Sequence, residues 1–337
     1  MYTLYNISKR VVAVAAALIA LMLGGCNNKQ WHSYEGAVWG TTFHIAYLSD
    51  ANMDDSINAT MRMVELSLSP FDKQSVVSRI NRGEAVDCDS LFITVFERGK
   101  QVWQLSGGAF DPTVAPAVNL WGFGYKNLGR ETLDSEIDSV KALVGFGNAD
   151  MIGNKVVCAP GMEFDFSAIT KGFGCDMVGD MLKRNGCDDY MVEIGGEMAL
   201  SGKNRVGEDW HIMVDAPIES NTEIVHDKMA IIAVTDCGIA TSGNYRNYRN
   251  TGNGKVWHTI DPRTCLPAES MTISATVIAP DAMTADALAT ACMVMNPDSA
   301  LVMIDRLNGV SAMLVVRSSN AAEDWKAVTS KGFPEIK

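Results

Sequence analysis

The sequence predicts an α+β fold. Segments with helical spacing and segments with strand character follow one another without regular βαβ alternation, which argues against a doubly wound parallel sheet. Of the 337 residues, 47% are hydrophobic and 20% are charged, a composition typical of a globular protein rather than a disordered or fibrous one. No internal repeat, low-complexity run or linker-like shift in composition divides the chain, so residues 34–337 are expected to form one folded body.

The N-terminus is predicted to be a signal peptide covering residues 1–25. A basic start without acidic residues precedes an apolar run over residues 11–23, which is too short for a comfortable membrane span. The run ends in Gly24-Gly25-Cys26, and small residues directly before a cysteine resemble the bacterial lipobox, although an ordinary export signal is the alternative. With lipidation, Cys26 would anchor a tether of residues 26–33 to a membrane, outside the cytoplasm.

In the first half of the chain the patterns predict one strand and three helices. Residues 36–48 carry β-branched and aromatic side chains and are predicted to be a strand. Apolar residues at helical spacing predict a helix over 50–68, followed by Pro70 as a stop. The same spacing over 90–105, closed by a glycine pair, predicts a second helix, and 135–144 predicts a shorter third.

The second half alternates short strands and helices. Two short strands are expected within 155–166, after which Ser167 is predicted to cap a helix that runs to about residue 185. Helices are expected over about 282–295 and over 299–307. Further strands are predicted at 190–194, 197–200, 211–214, 229–234, 257–260, 272–279 and 312–316.

Charge and cysteine usage exclude several classes of function. Lysine and arginine total 28 against 40 aspartate and glutamate, so the net charge of −12 disfavours binding to nucleic acid. The seven cysteines after residue 26 form no Cys-x-x-Cys motif and no zinc-like cluster, so most are expected to be small buried residues. Nucleotide-binding and hydrolase motifs such as Walker A and Gly-x-Ser-x-Gly are absent.

Seven short segments stand out: five combine glycine with polar residues that a protein core does not favour, and two further polar segments follow near the C-terminus. Each by itself is compatible with an ordinary glycine turn or a capped helix. These segments are residues 40–42, 108–113, 165–172, 194–197, 240–245, 258–264 and 284–291.

In their order and combination these segments resemble the ApbE family of FAD:protein FMN transferases, and the resemblance extends from Trp39 to about Val316. It implies a T-fold-related α+β body with largely antiparallel sheets. It also implies a magnesium-dependent reaction in which FMN passes from FAD to a Ser or Thr hydroxyl of a partner protein and AMP is released.

A magnesium site is expected around Asp286 and Thr290. The two residues lie four apart on a predicted helix, so their oxygens project from one face, and hard oxygen ligands suit magnesium rather than zinc. The resemblance adds the backbone carbonyl of Ala168 as a ligand. A helix cap at Asp286 and a hydroxyl of Thr290 bonded to its own helix are the structural alternatives.

The FAD site is expected around the start of the helix at 167–185. A helix N-terminus followed by Lys171 offers positive charge to a pyrophosphate. The family often has Met at position 39 and Tyr at position 71, and an aromatic ring at position 71 can stack on a flat ring system, although Phe71 also suits a core. By resemblance, the residues in contact with FAD are Trp39, Phe71, Ala109, Phe110, Asp111, Asp165, Lys171 and Ile260.

His258 is the candidate acid–base group. It lies in a Thr/Asp/Pro-rich turn, and a near-neutral pKa is ordinary for histidine and suits removal of a proton from an acceptor hydroxyl. A structural hydrogen bond or a solvated imidazole is the alternative. The family pattern of this turn usually ends in Gly, where this chain has Cys265.

Two other functions remain compatible with the sequence: an FAD pyrophosphatase that uses the same site with water, and a non-catalytic FAD-binding lipoprotein. By resemblance, the acceptors are FMN-binding domains of membrane redox complexes or other exported flavoproteins. The expected location is the periplasmic side of a bacterial membrane, with the inner membrane favoured over the outer.

Overall fold

The structure is a computed structural model of the chain. It describes residues 29–126, 132–217, 228–244, 248–251, 254–318 and 325–336. The predicted signal peptide over residues 1–25, the predicted lipidation site Cys26 with the start of its tether, and Tyr245 of the segment 240–245 lie outside the described residues. Among the described residues, no helix combines the length and the apolar character required to cross a bilayer.

The strands confirm an α+β fold with antiparallel pairing. In chain order the strands are β1 Gln30–Val38, β2 Thr41–Ser49, β3 Ala149–Ile152, β4 Lys155–Cys158, β5 Tyr190–Ile194, β6 Glu197–Ser201, β7 Trp210–Asp215, β8 Lys228–Val234, β9 Cys237–Gly243, β10 Tyr248–Thr251, β11 Gly254–Trp257, β12 Ile260–Asp261, β13 Leu266–Pro267, β14 Thr272–Ala279, β15 Ser311–Arg317 and β16 Trp325–Thr329. Within the described residues, eight of these strands form one sheet in the order β1-β2-β5-β6-β9-β14-β15-β16, and four antiparallel pairs, β3-β4, β7-β8, β10-β11 and β12-β13, stand apart from it.

The α-helices are α1 Asp54–Leu68, α2 Val76–Asn81, α3 Ser90–Leu105, α4 Ala115–Leu120, α5 Asp134–Lys141, α6 Ser167–Arg184, α7 Ala282–Val294 and α8 Pro297–Ile304. Helices α6 and α7 pack against each other, α7 packs on β9 and β14, and α6 packs on β5 and β6. Both helices contribute to the main apolar core.

The single strand predicted over residues 36–48 is wrong, because the chain forms a hairpin of β1 and β2 there. Val38 pairs with Thr41, and the two-residue loop between them, Trp39-Gly40, has positive φ angles of 50° and 78°. Two successive residues in the left-handed region are typical of a type I′ turn. Tryptophan rarely adopts that conformation, so residue preferences do not predict a turn at this position.

Three further expectations are corrected. The stretch 155–166 holds one strand, β4, because residues 159–166 form a turn and extended loop. The strand predicted over 257–260 is interrupted, since β11 ends at Trp257 and β12 begins at Ile260. Ser167 does not cap α6 but begins it, and the carboxylate of Asp165 accepts the Ser167 backbone N–H at 2.8 Å.

Several predicted elements are confirmed. The helix over 90–105 and the strands over 190–194 and 272–279 have the predicted bounds. The helix expected over 50–68 begins later, at Asp54, after a loop. The seven cysteines of the described part of the chain are free thiols, and five of them are buried, as small core residues would be.

Candidate active site

The close crossing of α6 and α7 creates the site. A Cβ atom built on Gly172 would lie 2.2 Å from the carbonyl oxygen of Ala282 and 2.9 Å from the Cβ of Asp286, so the helices can approach this closely only over a glycine. The Gly172 N–H donates to Oδ2 of Asp286 at 3.0 Å. This contact places the predicted metal ligand Asp286 directly beside Lys171, as the sequence hypothesis requires.

A second carboxylate fixes the register of the two helices. Asp176, one turn after Gly172 on α6, accepts the backbone N–H groups of Ala282 and Met283, each at 2.8 Å. These N–H groups belong to the first turn of α7 and have no partner within their own helix. The N-cap residue of α7, Asp281, accepts the Thr284 N–H at 2.7 Å. The carboxylates of Asp176 and Asp281 therefore accept the backbone N–H groups at the start of α7, the helix that carries Asp286.

Lys171, Glu197 and Asp286 form a charged triad at the crossing. The Lys171 ammonium lies 2.7 Å from Oε1 of Glu197 and 4.0 Å from Oδ2 of Asp286. The side chains of Glu197 and Asp286 are 4% and 2% exposed, whereas that of Lys171 is 31% exposed. The two acids are thus enclosed, and Lys171 forms the side of the triad that solvent or a ligand can reach.

Burial and mutual attraction act in opposite directions on the triad. Burial raises the pKa of both Glu197 and Asp286 above the ordinary values, and the Lys171 charge opposes that rise. Burial by itself would lower the pKa of Lys171, but Asp286 and Glu197 together hold it above its ordinary value. Lys171 is therefore a cation at neutral pH.

Thr290 lies one turn after Asp286 on α7, as predicted. Its hydroxyl is 3.4 Å from that of Ser242 on β9. Among the described residues, no group of three or more His, Cys, Asp or Glu side chains is arranged to hold a metal ion. A cation at Asp286 would consequently need hydroxyl and backbone oxygens to complete its coordination.

The backbone around Ala168 fits such a role. Ala168 is the second residue of α6, and in a regular helix its carbonyl accepts the N–H of Gly172. That same N–H donates to Asp286, so the carboxylate competes with the Ala168 carbonyl for it. In a regular helix the Ala168 carbonyl would thus share this N–H with the carboxylate, and a carbonyl oxygen has a second lone pair that can face a cation.

The first turn of α6 is less open to an anion than the sequence suggested. The Ser167 N–H donates to Asp165, and the N–H groups of Ile169 and Thr170 both donate to the Phe166 carbonyl. Positive charge for a pyrophosphate would therefore have to come chiefly from Lys171.

Asp111 and Asp165 support the site through the backbone. Oδ1 of Asp111 accepts the N–H and the hydroxyl of Thr113, and its Oδ2 accepts the N–H of Phe146 at 2.9 Å. The Asp165 N–H donates to the Pro112 carbonyl at 2.7 Å, which joins the segment 108–113 to the start of α6. The Asp111 carboxylate is occupied within the protein, so contact with FAD at Ala109, Phe110 and Asp111 would come from backbone atoms.

The Trp39-Gly40 turn holds the Trp39 indole against α6. The indole lies so close to Gly174 that a Cβ there would be 2.5 Å from the ring. The indole Nε1 is buried and has no hydrogen-bond partner within the described part of the chain. A non-glycine residue with φ of 50° and an unsatisfied buried donor indicate strain of the kind found at binding sites.

Phe71 is exposed and is backed by a second aromatic ring. The residue is 69% exposed, which excludes the alternative that Phe71 is a core residue. The ring of Tyr125 meets it edge-on, with centroids 6.3 Å apart. The Tyr125 hydroxyl donates to Glu163 at 2.7 Å and accepts from the Asn81 amide at 3.1 Å. The exposed ring of Phe71 thus packs against Tyr125, and two hydrogen bonds hold the Tyr125 ring in place.

His258 lies in the break between β11 and β12. The ring of Phe123 is edge-on to it, with centroids 6.4 Å apart. The next residue, Thr259, donates its hydroxyl to Asn244 at 2.6 Å, and Ile260 is buried in β12. These contacts fix the backbone on one side of His258.

Cys265 occupies the position where the family usually has glycine. Its φ of 59° lies in the left-handed region, which explains why glycine suits this position. A cysteine there carries a backbone strain of about 1–2 kcal/mol. Its carbonyl accepts the indole N–H of Trp121 at 2.8 Å, which holds the turn.

The sequence did not assign Glu197, Asp176 or Tyr125 to the site. Glu197 did lie within a flagged segment, 194–197, and a glutamate that enters an apolar strand directly after two glycines could have been singled out. Asp176 and Tyr125 gave no comparable signal, because their roles depend on helix–helix and loop contacts that are distant in sequence.

The chain is similar to known proteins over most of its length. A sequence model of the ApbE family matches residues 39–314. The chain is 32% identical to the FAD:protein FMN transferase of Haemophilus influenzae over 98% of this chain and 99% of that protein. It is 33% identical to the FAD:protein FMN transferase of Vibrio cholerae over 96% of this chain and 98% of that protein.

Solved structures share the fold. The flavin transferase ApbE from Vibrio cholerae superimposes with a TM-score of 0.80 at 32% identity, covering 90% of this chain and 98% of that one. The ApbE protein from Thermotoga maritima gives a TM-score of 0.78 at 28% identity, covering 90% and 97%. With matches that extend over nearly the whole described body and include the α6–α7 crossing, the chain belongs to the ApbE family.

Proposed function

We propose that this protein is an FAD:protein FMN transferase that moves FMN from FAD to a Ser or Thr hydroxyl of an acceptor protein and releases AMP. The relatives described above carry the same activity in their names. The observation that carries the proposal is the triad at the α6–α7 crossing, where a partly exposed lysine faces a buried aspartate on a second helix.

The residues at the crossing fit a magnesium ion. Asp286, the hydroxyl of Thr290 and the carbonyl of Ala168 would hold it, and all three donors are hard oxygens. The triad sets two buried acids against one ammonium, so a bound cation would balance the carboxylate that Lys171 does not. Bound magnesium supplies a Lewis acid that draws negative charge from the pyrophosphate.

The chain's own residues would bind and orient FAD. Lys171 donates to the pyrophosphate from its exposed side, and Phe71 offers a flat face to the flavin ring. Trp39, Ile260 and the backbone of residues 109–111 enclose the remainder of the dinucleotide. Asp165 holds the start of α6 in place through Ser167.

His258 would activate the acceptor. An imidazole nitrogen of His258 takes the proton of the acceptor hydroxyl while that oxygen attacks the FMN-side phosphorus. One O–P bond forms, and the anhydride bond breaks with its electron pair leaving on AMP. In this scheme the acceptor oxygen attacks phosphorus directly, so no covalent intermediate with the enzyme forms. Catalysis then depends on how the protein positions the reacting groups and on the charges that it places around them.

The proposed location is the periplasmic side of a bacterial membrane, with a lipid anchor on Cys26. The acceptors would then be FMN-binding domains of membrane redox complexes or other exported flavoproteins. Mass spectrometry of the mature N-terminus would test the anchor, since a signal peptide without lipidation leaves an unmodified thiol at Cys26.

The test of the activity is incubation of the purified protein with FAD, magnesium and a candidate acceptor domain, read by mass spectrometry. Transfer raises the acceptor mass by one FMN and releases AMP. Free FMN and AMP beside an unchanged acceptor would indicate the pyrophosphatase instead. Retained FAD with no AMP would indicate a binding protein.

A further inference from the structure

Glu197 is a buried acid whose two carboxylate oxygens have different surroundings. It is the first residue of β6, and its Oε1 contacts the Lys171 ammonium at 2.7 Å. Oε2 is buried and has no hydrogen-bond partner within the described residues. An unsatisfied buried carboxylate oxygen is costly, so a purely structural role is a poor explanation for it.

The surrounding backbone holds Glu197 and Lys171 together. Gly195 has φ of 63°, and a Cβ there would lie 3.3 Å from Cδ of Lys171, so the turn before β6 packs against the lysine stem. The Gly196 N–H donates to Glu193 at 2.6 Å. The Cys175 thiol, on α6, donates to the Glu197 carbonyl at 3.1 Å. The lysine therefore has little freedom to leave Glu197.

The geometry makes the two acids competitors for one cation. Lys171 is 2.7 Å from Glu197 but 4.0 Å from Asp286, a distance at which a direct hydrogen bond is absent. If the ammonium moved to Asp286, it would neutralise the proposed magnesium ligand. Its attachment to Glu197 leaves the Asp286 charge available.

We infer that Glu197 is a positioning residue that keeps the Lys171 ammonium off Asp286 and so preserves the affinity of Asp286 for a divalent cation. This inference rests on the proposed function, because it requires a cation at Asp286. Glu197 acts through Lys171 and need not touch the cation or FAD.

The first test is Glu197→Gln, which keeps the size of the side chain and removes its charge. The Lys171 ammonium then has Asp286 as its remaining acidic partner, and we expect the affinity for Mn²⁺ to fall about 10- to 100-fold. Binding is measured by electron paramagnetic resonance with Mn²⁺ alone, on the mature protein without FAD, so the readout is independent of turnover. Thermal unfolding of each variant shows whether the fold persists.

A double-mutant cycle separates positioning from simple loss of negative charge. If Glu197 acts through the ammonium, Lys171→Met should raise Mn²⁺ affinity much more in the Glu197→Gln background than in the wild-type background. If Glu197 only adds negative charge to the site, Lys171→Met changes the affinity by the same factor in both backgrounds. Glu197→Asp, which keeps the charge, should recover part of the binding lost in Glu197→Gln.

Three outcomes overturn the inference: wild-type Mn²⁺ affinity in Glu197→Gln, an additive cycle, or no recovery in Glu197→Asp when that variant is folded. FMN transfer by the wild-type protein is measured in parallel. Transfer with an additive cycle refutes the role of Glu197 alone, whereas a wild-type protein that binds FAD but neither binds Mn²⁺ nor transfers FMN refutes the proposed function and this inference with it.

Discussion

The tight crossing at Gly172 gives the sharpest test of how the fold builds the site. In Gly172→Ala, the new Cβ would start 2.2 Å from the Ala282 carbonyl oxygen, and Cβ atoms essentially never approach other heavy atoms closer than 3.0 Å. Both contacting groups belong to helix backbone or to the adjoining Asp286 stem, so no flexible side-chain end can move aside. Helices α6 and α7 must separate locally by close to an ångström.

The size of the effect follows from two opposing contributions. Overpacking lowers the free energy of unfolding by about 1–3 kcal/mol. We expect a value near the upper end, because the nearest atoms to the new Cβ belong to the backbone of Ala282. Alanine gains about 1 kcal/mol over glycine in a helix interior. We therefore expect a net loss of about 2 kcal/mol in the free energy of unfolding, measured by urea denaturation. Displacement of Asp286 by about 1 Å should lower the rate of FMN transfer about 100-fold.

Gly99 in α3 provides a matched control. It is also a buried helical glycine, but a Cβ there would find its nearest neighbours at 3.4 to 3.6 Å, which is ordinary contact. Gly99→Ala should therefore be neutral or more stable by up to about 1 kcal/mol, with full activity. If Gly172→Ala were as stable and as active as Gly99→Ala, the argument that this crossing positions Asp286 would be wrong.

Three other substitutions test separate parts of the site. In Asp176→Asn, the amide can accept only one of the two α7 N–H bonds, so urea denaturation should show a loss of about 1–3 kcal/mol, while the exposed Asp180→Asn on the same helix should change little. Tyr125→Phe removes the hydroxyl that fixes the ring behind Phe71, and about 1 kcal/mol of lost positioning should raise the KM for FAD roughly five-fold with kcat unchanged. His258→Ala should reduce transfer by about 10²- to 10⁴-fold while fluorescence titration still shows FAD binding; full activity would remove His258 from the scheme.

The sequence could predict those features that depend on local periodicity. The helix over 90–105 has a regular apolar repeat and a glycine end, and it was found with the predicted bounds. The helix predicted over about 282–295 was also found, and it carries both Asp286 and Thr290, four residues apart. Such patterns work because neighbours three and four apart on a helix face each other whatever the tertiary structure.

Features that depend on contacts between distant segments could not be predicted in this way. The Trp39-Gly40 turn is set by packing of the indole over Gly174, more than 130 residues later, and not by a preference of tryptophan for positive φ. The clamp from Asp176 to the start of α7 spans 106 residues. Neither segment by itself contains information about its partner.

The few polar residues of helix α7 lie in a helix that is otherwise apolar and buried, and this contrast indicates a functional role for them. Apart from Thr284 and Thr290 its residues are buried, most of them alanine or other apolar side chains, so the helix has no solvent-facing side on which a charge would be ordinary. Asp286 lies in this helix at 1% exposure, with one backbone N–H and an ammonium 4.0 Å away as its compensation. An apolar residue would pack there without a desolvation penalty. A divalent cation at Asp286 would explain why a carboxylate is retained there, and the Mn²⁺ measurement, rather than a further stability measurement, is therefore the decisive one for the site.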